Sequence, residues 1–104
     1  ANALSVSLLL AKAQMTNPLD ARRRRLHFRA WHRGTKEADI MIGSFTDRYL
    51  AGWGEAEIAW MEAFLEEDDV EIMAWAIGTE TAPERWHGPL LDALKRLDFM
   101  VAPE

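Results

Sequence analysis

The stretch Arg33-Gly34-Thr35-Lys36-Glu37 separates two helical patterns and therefore decides how the chain folds. Apolar residues recur at helical spacing upstream of it, over residues 26–33, and again downstream, over residues 42–53. Gly34 can end the first helix, because glycine adopts a left-handed backbone without a Cβ clash. Glu37 then lies in the first turn of the second helix, where a carboxylate opposes the positive end of the helix dipole. The stretch predicts one turn that sets the angle between two helices and presents Arg33 and Glu37 side by side as an exposed ion pair.

Local signals predict the other helix boundaries. An Asn17-Pro18 pair is a typical helix start, glycines on both sides of Trp53 end a second helix, and Gly78 follows the last turn of a fourth. The predicted helices are about Pro18–Arg33, Thr35–Ala51, Glu55–Glu66, Val70–Ile77 and Pro89–Leu97, with a short turn at Pro83–His87. The residues predicted to face the core include Leu26, Ala30, Ile42, Phe45, Ile58, Met61, Met73, Ala76, Ile77, Leu91 and Leu94. No sustained alternation of apolar and polar residues indicates a strand, so the predicted fold class is all-α, a compact antiparallel bundle of about five short helices.

The length predicts a single domain. At 104 residues the chain can bury one small core. Residues 1–14 are predicted to be a non-native or disordered N-terminal extension before Met15, so the single helical domain is predicted to be residues 15–104. The longest apolar run, Val6 to Ala11, falls short of the roughly 20 residues that a membrane span needs. We therefore expect no membrane partner.

Charges are segregated along the chain, which the net charge of −5 conceals. Residues 22–36 hold seven Arg or Lys and no carboxylate, whereas residues 55–84 hold ten carboxylates and no Arg or Lys. This pattern predicts a basic face and an acidic face, with at least two of the arginines at 22–25 beside the apolar stripe of the first helix. The basic run is consistent with a solvated helix face, a protein-binding surface or a nucleic-acid-binding surface, and the acidic half makes nucleic acid the least favoured partner.

The sequence lacks the patterns of catalytic and metal-binding sites. His27 and His32 lie about 140° apart around a helix of 3.6 residues per turn, and the chain has no cysteine, so a zinc site is not expected. Ser44 has no Gly-x-Ser-x-Gly setting, which argues against a serine hydrolase. Glycine-rich phosphate-binding or dinucleotide-binding motifs are also missing. We predict no catalytic residue and no tightly bound cofactor.

Two segments of the sequence resemble one protein family. The run from Arg24 to Asp39, RRLHFRAWHRGTKEAD, resembles the signature of the FAD assembly factors of succinate dehydrogenase, called succinate dehydrogenase assembly factor 2 in mitochondria. The run from Leu65 to Gly78, an acidic turn followed by a helix that bears Trp75 and ends in glycine, resembles the second landmark of that family. The resemblance covers roughly residues 22–99.

The resemblance implies an assembly factor and not a flavoenzyme. It implies binding to the flavoprotein subunit of succinate dehydrogenase, or of fumarate reductase, and promotion of the covalent attachment of FAD to a histidine of that partner. The family's Arg-Gly-x-x-Glu motif corresponds to Arg33, Gly34 and Glu37, followed by Asp39, while Ala38 stands where the family commonly has leucine. The implied location is the bacterial cytoplasm in preference to the mitochondrial matrix.

Three further side chains complete the predicted partner surface. Trp31 lies one turn before the bend, where either a partner contact or core packing would suit it, and Arg23 and Arg24 are expected to attract the partner. Two alternatives are a nucleic-acid-binding or regulatory module that uses the basic first helix, and a protein adaptor unrelated to flavins. For Glu37, a role in binding and a direct acid–base role both remain open.

Overall fold

Five α-helices and two short 3-10 turns make up residues 17–100, the part of the chain that the computed structural model describes. The helices are α1 (Pro18–Trp31), α2 (Lys36–Tyr49), α3 (Glu55–Phe64), α4 (Asp69–Ile77) and α5 (Pro89–Arg96), and the 3-10 turns are Leu50–Gly52 and Glu84–Trp86. No strand occurs within these residues, so the predicted all-α class is confirmed. The predicted N-terminal extension, residues 1–14, lies outside the described residues.

The helix ends are set by the predicted capping residues. The Asn17 side chain caps α1 by accepting a hydrogen bond of 3.0 Å from the Leu19 N–H, with Pro18 in the first turn. Gly78 follows α4 in a left-handed conformation with φ of +88°. The first three helices each end two residues earlier than predicted. The last two residues predicted for each of them lie instead in a bend (32–33), a 3-10 turn (50–51) or a non-helical turn (65–66).

The core lies where α1 packs on α2 and α3, and where α4 packs on α2 and α5. Phe64 is the centre of its aromatic part, with ring centroids 4.5 Å from Trp60, 5.1 Å from Trp86 and 6.0 Å from Trp75. Most predicted core residues are buried, namely Leu26, Ala30, Ile42, Phe45, Ile58, Met61, Ala76, Leu91 and Leu94.

Ile77 contradicts the core prediction, because its side chain is 56% exposed. The buried face of α4 is formed by Ile72, Trp75 and Ala76. A residue advances about 100° around a helix, so Ile77 faces away from that side together with Val70, seven positions earlier and 74% exposed. None of the helices in the described part of the chain has the length and apolar character needed to cross a bilayer.

Candidate functional site

The turn between α1 and α2 is held at both ends by side-chain oxygens that accept hydrogen bonds from backbone N–H groups. Gly34 has φ of +112°, a region that disfavours residues with a Cβ. Thr35 caps α2, since its Oγ1 accepts a hydrogen bond of 3.2 Å from the Ala38 N–H. The Asp39 carboxylate accepts a hydrogen bond of 2.5 Å from the Arg33 N–H. The predicted glycine turn is therefore present, and Asp39 helps to shape its backbone.

Arg33 joins this turn to the turn between α3 and α4. Its Nε lies 2.8 Å from the Asp69 Oδ1, and its Nη2 donates to the carbonyl oxygens of Leu65 at 2.8 Å and Glu67 at 3.4 Å. The carbonyl groups at the end of α3 have no helical N–H partner and lie at the negative end of the helix dipole. A guanidinium both donates hydrogen bonds to them and supplies the opposite charge. The side chain of Arg33 is only 12% exposed. The expected exposed pair with Glu37 is therefore wrong, because Arg33 turns inward to Asp69.

Glu37 is the exposed carboxylate of the turn. Within residues 17–100 its side chain enters no hydrogen bond or ion pair, and Gly34, Thr35 and Lys36 beside it are also exposed. The backbone at Glu37 is held by the contacts of the turn, whereas its unpaired side chain keeps its rotamer freedom. A partner contact would therefore break no internal bond of this carboxylate, but it would order the side chain.

An apolar groove runs beside the exposed turn. It has a volume of about 610 Å³, and its walls are Trp31, His32, Gly34, Thr35, Lys36, Asp39 and Ile40. Phe28 stacks on His32 with ring centroids 3.9 Å apart and is 60% exposed. Exposed aromatic and aliphatic groups next to a charged turn are typical of protein-binding surfaces.

Trp31 combines the two roles that the sequence left open, core packing and a place on the exposed surface. It is half-buried, lies against Gly43 of α2, and donates from Nε1 to the Asp47 Oδ1 at 3.3 Å. Its remaining surface forms part of the groove wall.

Three of the seven cations at residues 22–36, namely Arg22, Arg29 and Arg33, pair with carboxylates of the acidic half of the same chain. Arg22 contacts Glu55 at 2.5 Å and Glu62 at 2.7 Å, and Arg29 pairs with Glu66. The Arg22 guanidinium lowers the pKa of the Glu62 carboxyl through their hydrogen bond, and the same bond raises the pKa of Arg22. The prediction of separate basic and acidic faces is wrong here, since α1 packs its cations against the acidic α3.

The remaining arginines of the run differ from one another. Arg23 is half-buried, pairs with Asp20 at 3.0 Å and donates to the Trp53 carbonyl at 2.5 Å. Arg24 and Arg25 are exposed and make no ion pair within residues 17–100. Of the two arginines predicted to attract a partner, Arg24 is free to do so and Arg23 is engaged within the chain.

Several residues of the site were not predicted. Asp69, Phe28 and Ile40 carried no distinct signal, although an acidic turn at residues 67–69 could have been matched to a partner arginine. Gly43 carried a clearer one, because glycine inside a helix costs about 1 kcal/mol relative to alanine and usually has a packing reason. In the described part of the chain, no three His, Asp or Glu side chains lie close enough together to hold a metal ion.

Comparisons with known proteins agree on one family. Residues 24–98 match the sequence model of the family described as flavinator of succinate dehydrogenase. The chain is 45% identical over 73 residues to the FAD assembly factor SdhE of Acetobacter pasteurianus, covering 70% of this chain and 67% of that protein. It is 33% identical over 81 residues to the mitochondrial succinate dehydrogenase assembly factor 2 of Saccharomyces cerevisiae, covering 74% of this chain and 50% of the yeast protein. The corresponding protein of Danio rerio is 32% identical over 79 residues, also with 50% of its length covered. The chain thus spans about half the length of these mitochondrial relatives.

Proposed function

The chain belongs to the family of succinate dehydrogenase flavinators, and we propose that it binds the flavoprotein subunit of succinate dehydrogenase and promotes covalent attachment of FAD to that subunit. The observation that carries this proposal is the family match over residues 24–98, which includes most of α1 and all of the helices that follow it. The higher identity to the bacterial relative, 45% against 33% for the yeast protein, favours the bacterial cytoplasm as the place of the reaction.

We propose that the exposed turn and the adjoining groove form the contact surface. Gly34 and Glu37 would face the partner directly, with Trp31 as part of the groove wall and Arg24 at the basic edge. Arg33 and Asp39 would act from behind this surface, because their hydrogen bonds hold the turn in place. Arg23 is left out of the contact surface, since its guanidinium binds Asp20 and Trp53.

The proposed mechanism is conformational. FAD bound in the partner would supply the flavin C8 methyl carbon as the point of attachment for the partner histidine. A rigid turn can favour the partner conformation in which that histidine faces the flavin, because binding energy that differs between two conformations shifts their populations. The dinucleotide-binding glycine motifs are missing from this sequence, which supports the proposal that the flavin is held by the partner.

Glu37 is proposed to act by binding and not by proton transfer. Its exposed position suits a contact with a partner cation or amide, whereas acid–base catalysis would require it to enter the flavin site of another protein. The two roles predict different kinetics. A binding role predicts that a Glu37 variant recovers its rate at saturating concentration, and a catalytic role predicts a low rate at every concentration.

The test measures flavin attachment to the purified apo subunit by in-gel flavin fluorescence after addition of FAD and this chain. Glu37→Gln is expected to slow attachment about tenfold or more at limiting concentration, with an unchanged melting temperature. Glu84→Gln is the matched control, because Glu84 is also exposed but lies near α5. If Glu37→Gln were folded and fully active, the turn would not be the contact surface. If the unmodified chain did not accelerate attachment, the proposed function itself would be wrong.

A further inference from the structure

The indole of Trp31 lies directly on the backbone of α2 at Gly43. A Cβ built on Gly43 would lie 2.3, 2.4 and 2.7 Å from the ring atoms Cδ2, Cε2 and Cε3 of Trp31. Carbon atoms in contact are normally about 3.5–4.0 Å apart, so no side chain fits between the ring and the helix. Glycine is therefore needed at position 43 because the Trp31 ring leaves no room for a Cβ. Its backbone conformation does not require glycine, since it lies inside α2 and does not have a positive φ.

Polar contacts fix the ring in this position. The Trp31 Nε1–H donates to the Asp47 Oδ1 at 3.3 Å, and the His27 Nε2 lies 2.9 Å from the same oxygen. His27 and Trp31 are four residues apart on α1, as Gly43 and Asp47 are on α2, so each pair lies on one helix face. These four residues, the Trp31 cluster, connect the last turn of α1 to the middle of α2.

The Trp31 cluster and the Arg33 contacts hold the same turn on two different sides. Arg33 ties it to α3 and α4, and the Trp31 cluster ties it to α2. Trp31 is only three residues before Gly34, so a displacement of the ring passes to the turn through a single short segment. We propose that Trp31, seated on Gly43 and bonded to Asp47, is a positioning residue that fixes the angle between α1 and α2 and thereby the direction in which Glu37 faces the partner. The effect on the partner rests on the proposed function, whereas the effect on the turn does not.

The test begins with Gly43→Ala, because Gly43 is buried and its substitution adds no group to the contact surface. Trp31 is itself part of the groove wall, so the amide signals of the turn, and not the affinity alone, separate positioning from a lost groove contact. An ordinary glycine inside a helix gains stability on change to alanine. Here the added methyl group displaces the ring, so we expect shifted amide NMR signals for residues 34–39 in the free protein. We also expect binding to the flavoprotein subunit to weaken about 10- to 100-fold, because small misplacements of a contact group are costly. Gly52→Ala is the matched control, since nothing lies within 4 Å of a Cβ built there.

A double variant separates positioning from loss of stability. Trp31→Leu with Gly43→Ala should bind no more weakly than Trp31→Leu alone, because the methyl group has no ring left to displace. Ile58→Val provides a second control, since it removes a methyl group from a fully buried residue of α3 and should lower the melting temperature without changing the affinity. All affinities are measured well below the melting temperatures.

Each outcome decides the proposal. Additive losses for Trp31→Leu and Gly43→Ala, or unchanged amide signals and affinity in Gly43→Ala, would overturn it. Shifted amide signals with an unchanged affinity would also overturn it, because the turn would then move without consequence for the partner. If the unmodified chain did not bind the subunit, the proposed function would fail, and the amide signals alone would show whether Trp31 positions the turn.

Discussion

At the scale of single residues, two glycines of this chain are needed for opposite reasons. Gly34 has a positive φ and open space around it, with nothing within 4 Å of a built Cβ. Gly43 has ordinary helical backbone but no space, because Trp31 lies against it. A side chain at Gly34 would therefore cost backbone strain alone, and one at Gly43 would cost packing alone.

Gly34→Ala is expected to destabilise the fold by about 1 kcal/mol, the typical cost of a Cβ in left-handed backbone. In a domain of this size that lowers the melting temperature by about 4–8 °C. Calorimetry with Gly52→Ala as the control tests whether the positive φ is the cause, because Gly52 has the same open space without a positive φ. Equal melting temperatures for the two variants would show that the φ of Gly34 carries no strain.

Arg33→Ala is expected to lose both stability and flavin attachment, in contrast to Glu37→Gln. Removing the guanidinium leaves Asp69 and two carbonyl groups without their donor, at a cost of about 2 kcal/mol. Chemical denaturation of Arg33→Ala, Asp69→Asn and the double variant measures the coupling. We expect the double variant to lose clearly less than the sum of the single losses. Full additivity would mean that the pair contributes nothing to the fold.

At the scale of helices, the sequence predicts where each element ends but not which elements pair. The Asn17 and Gly78 caps work through residues within a few positions, so the helix boundaries could be read locally. The pairs Arg22–Glu55 and Arg33–Asp69 join positions 33 and 36 residues apart, and no local signal selects them. The opposite charge blocks predicted a basic face and an acidic face, and only the packing of α1 on α3 shows that the two blocks pair within the chain.

The same limit applied to the candidate site. The glycine turn and the exposed Glu37 follow from capping rules, so they were predictable from five consecutive residues. The inward position of Arg33 and the packing of Trp31 on Gly43 depend on residues of α2 and α4 and on the end of α3. These contacts are distant in sequence, so only the structure reveals them.

The Arg22–Glu62 contact between α1 and α3 predicts a pH dependence. The folded pKa of Glu62 is lowered chiefly by the Arg22 hydrogen bond, so its ionised form favours the folded state. This contribution is fully present above the ordinary value of 4.5 and disappears as pH falls through the lowered pKa. Glu62→Gln should therefore melt a few degrees below the unmodified chain at pH 7, and the gap should narrow as the pH falls below 4.5 and through the lowered pKa of Glu62. The control is Glu84→Gln, an exposed position, for which we expect no gap at pH 7; a Glu62→Gln gap that persisted in acid would contradict the assignment.

At the scale of the whole molecule, internal pairing leaves a small basic patch on a protein of net charge −5. Arg22, Arg23, Arg29 and Arg33 are engaged within the chain, so the exposed cations of residues 22–36 are reduced to Arg24, Arg25 and Lys36. Fewer free cations weaken the nucleic-acid alternative, because affinity for phosphates grows with the number of cations available to neutralise them.

The exposed pair Arg24 and Arg25 should accelerate encounter with the flavoprotein subunit. Rim charges act mainly on the association rate, and their field reaches about 8 Å at physiological salt. Arg24→Gln with Arg25→Gln is therefore expected to slow association several-fold at low salt and to converge with the unmodified chain at high salt, with little change in dissociation. Arg23 is spared, because its substitution would also break the contacts with Asp20 and Trp53. Stopped-flow measurements across a salt series check the expectation, with Lys95→Gln and Arg96→Gln, in the last turn of α5, as a control that makes the same change in net charge. If both double variants were slowed equally, the overall charge of the molecule and not the patch on α1 would govern the encounter.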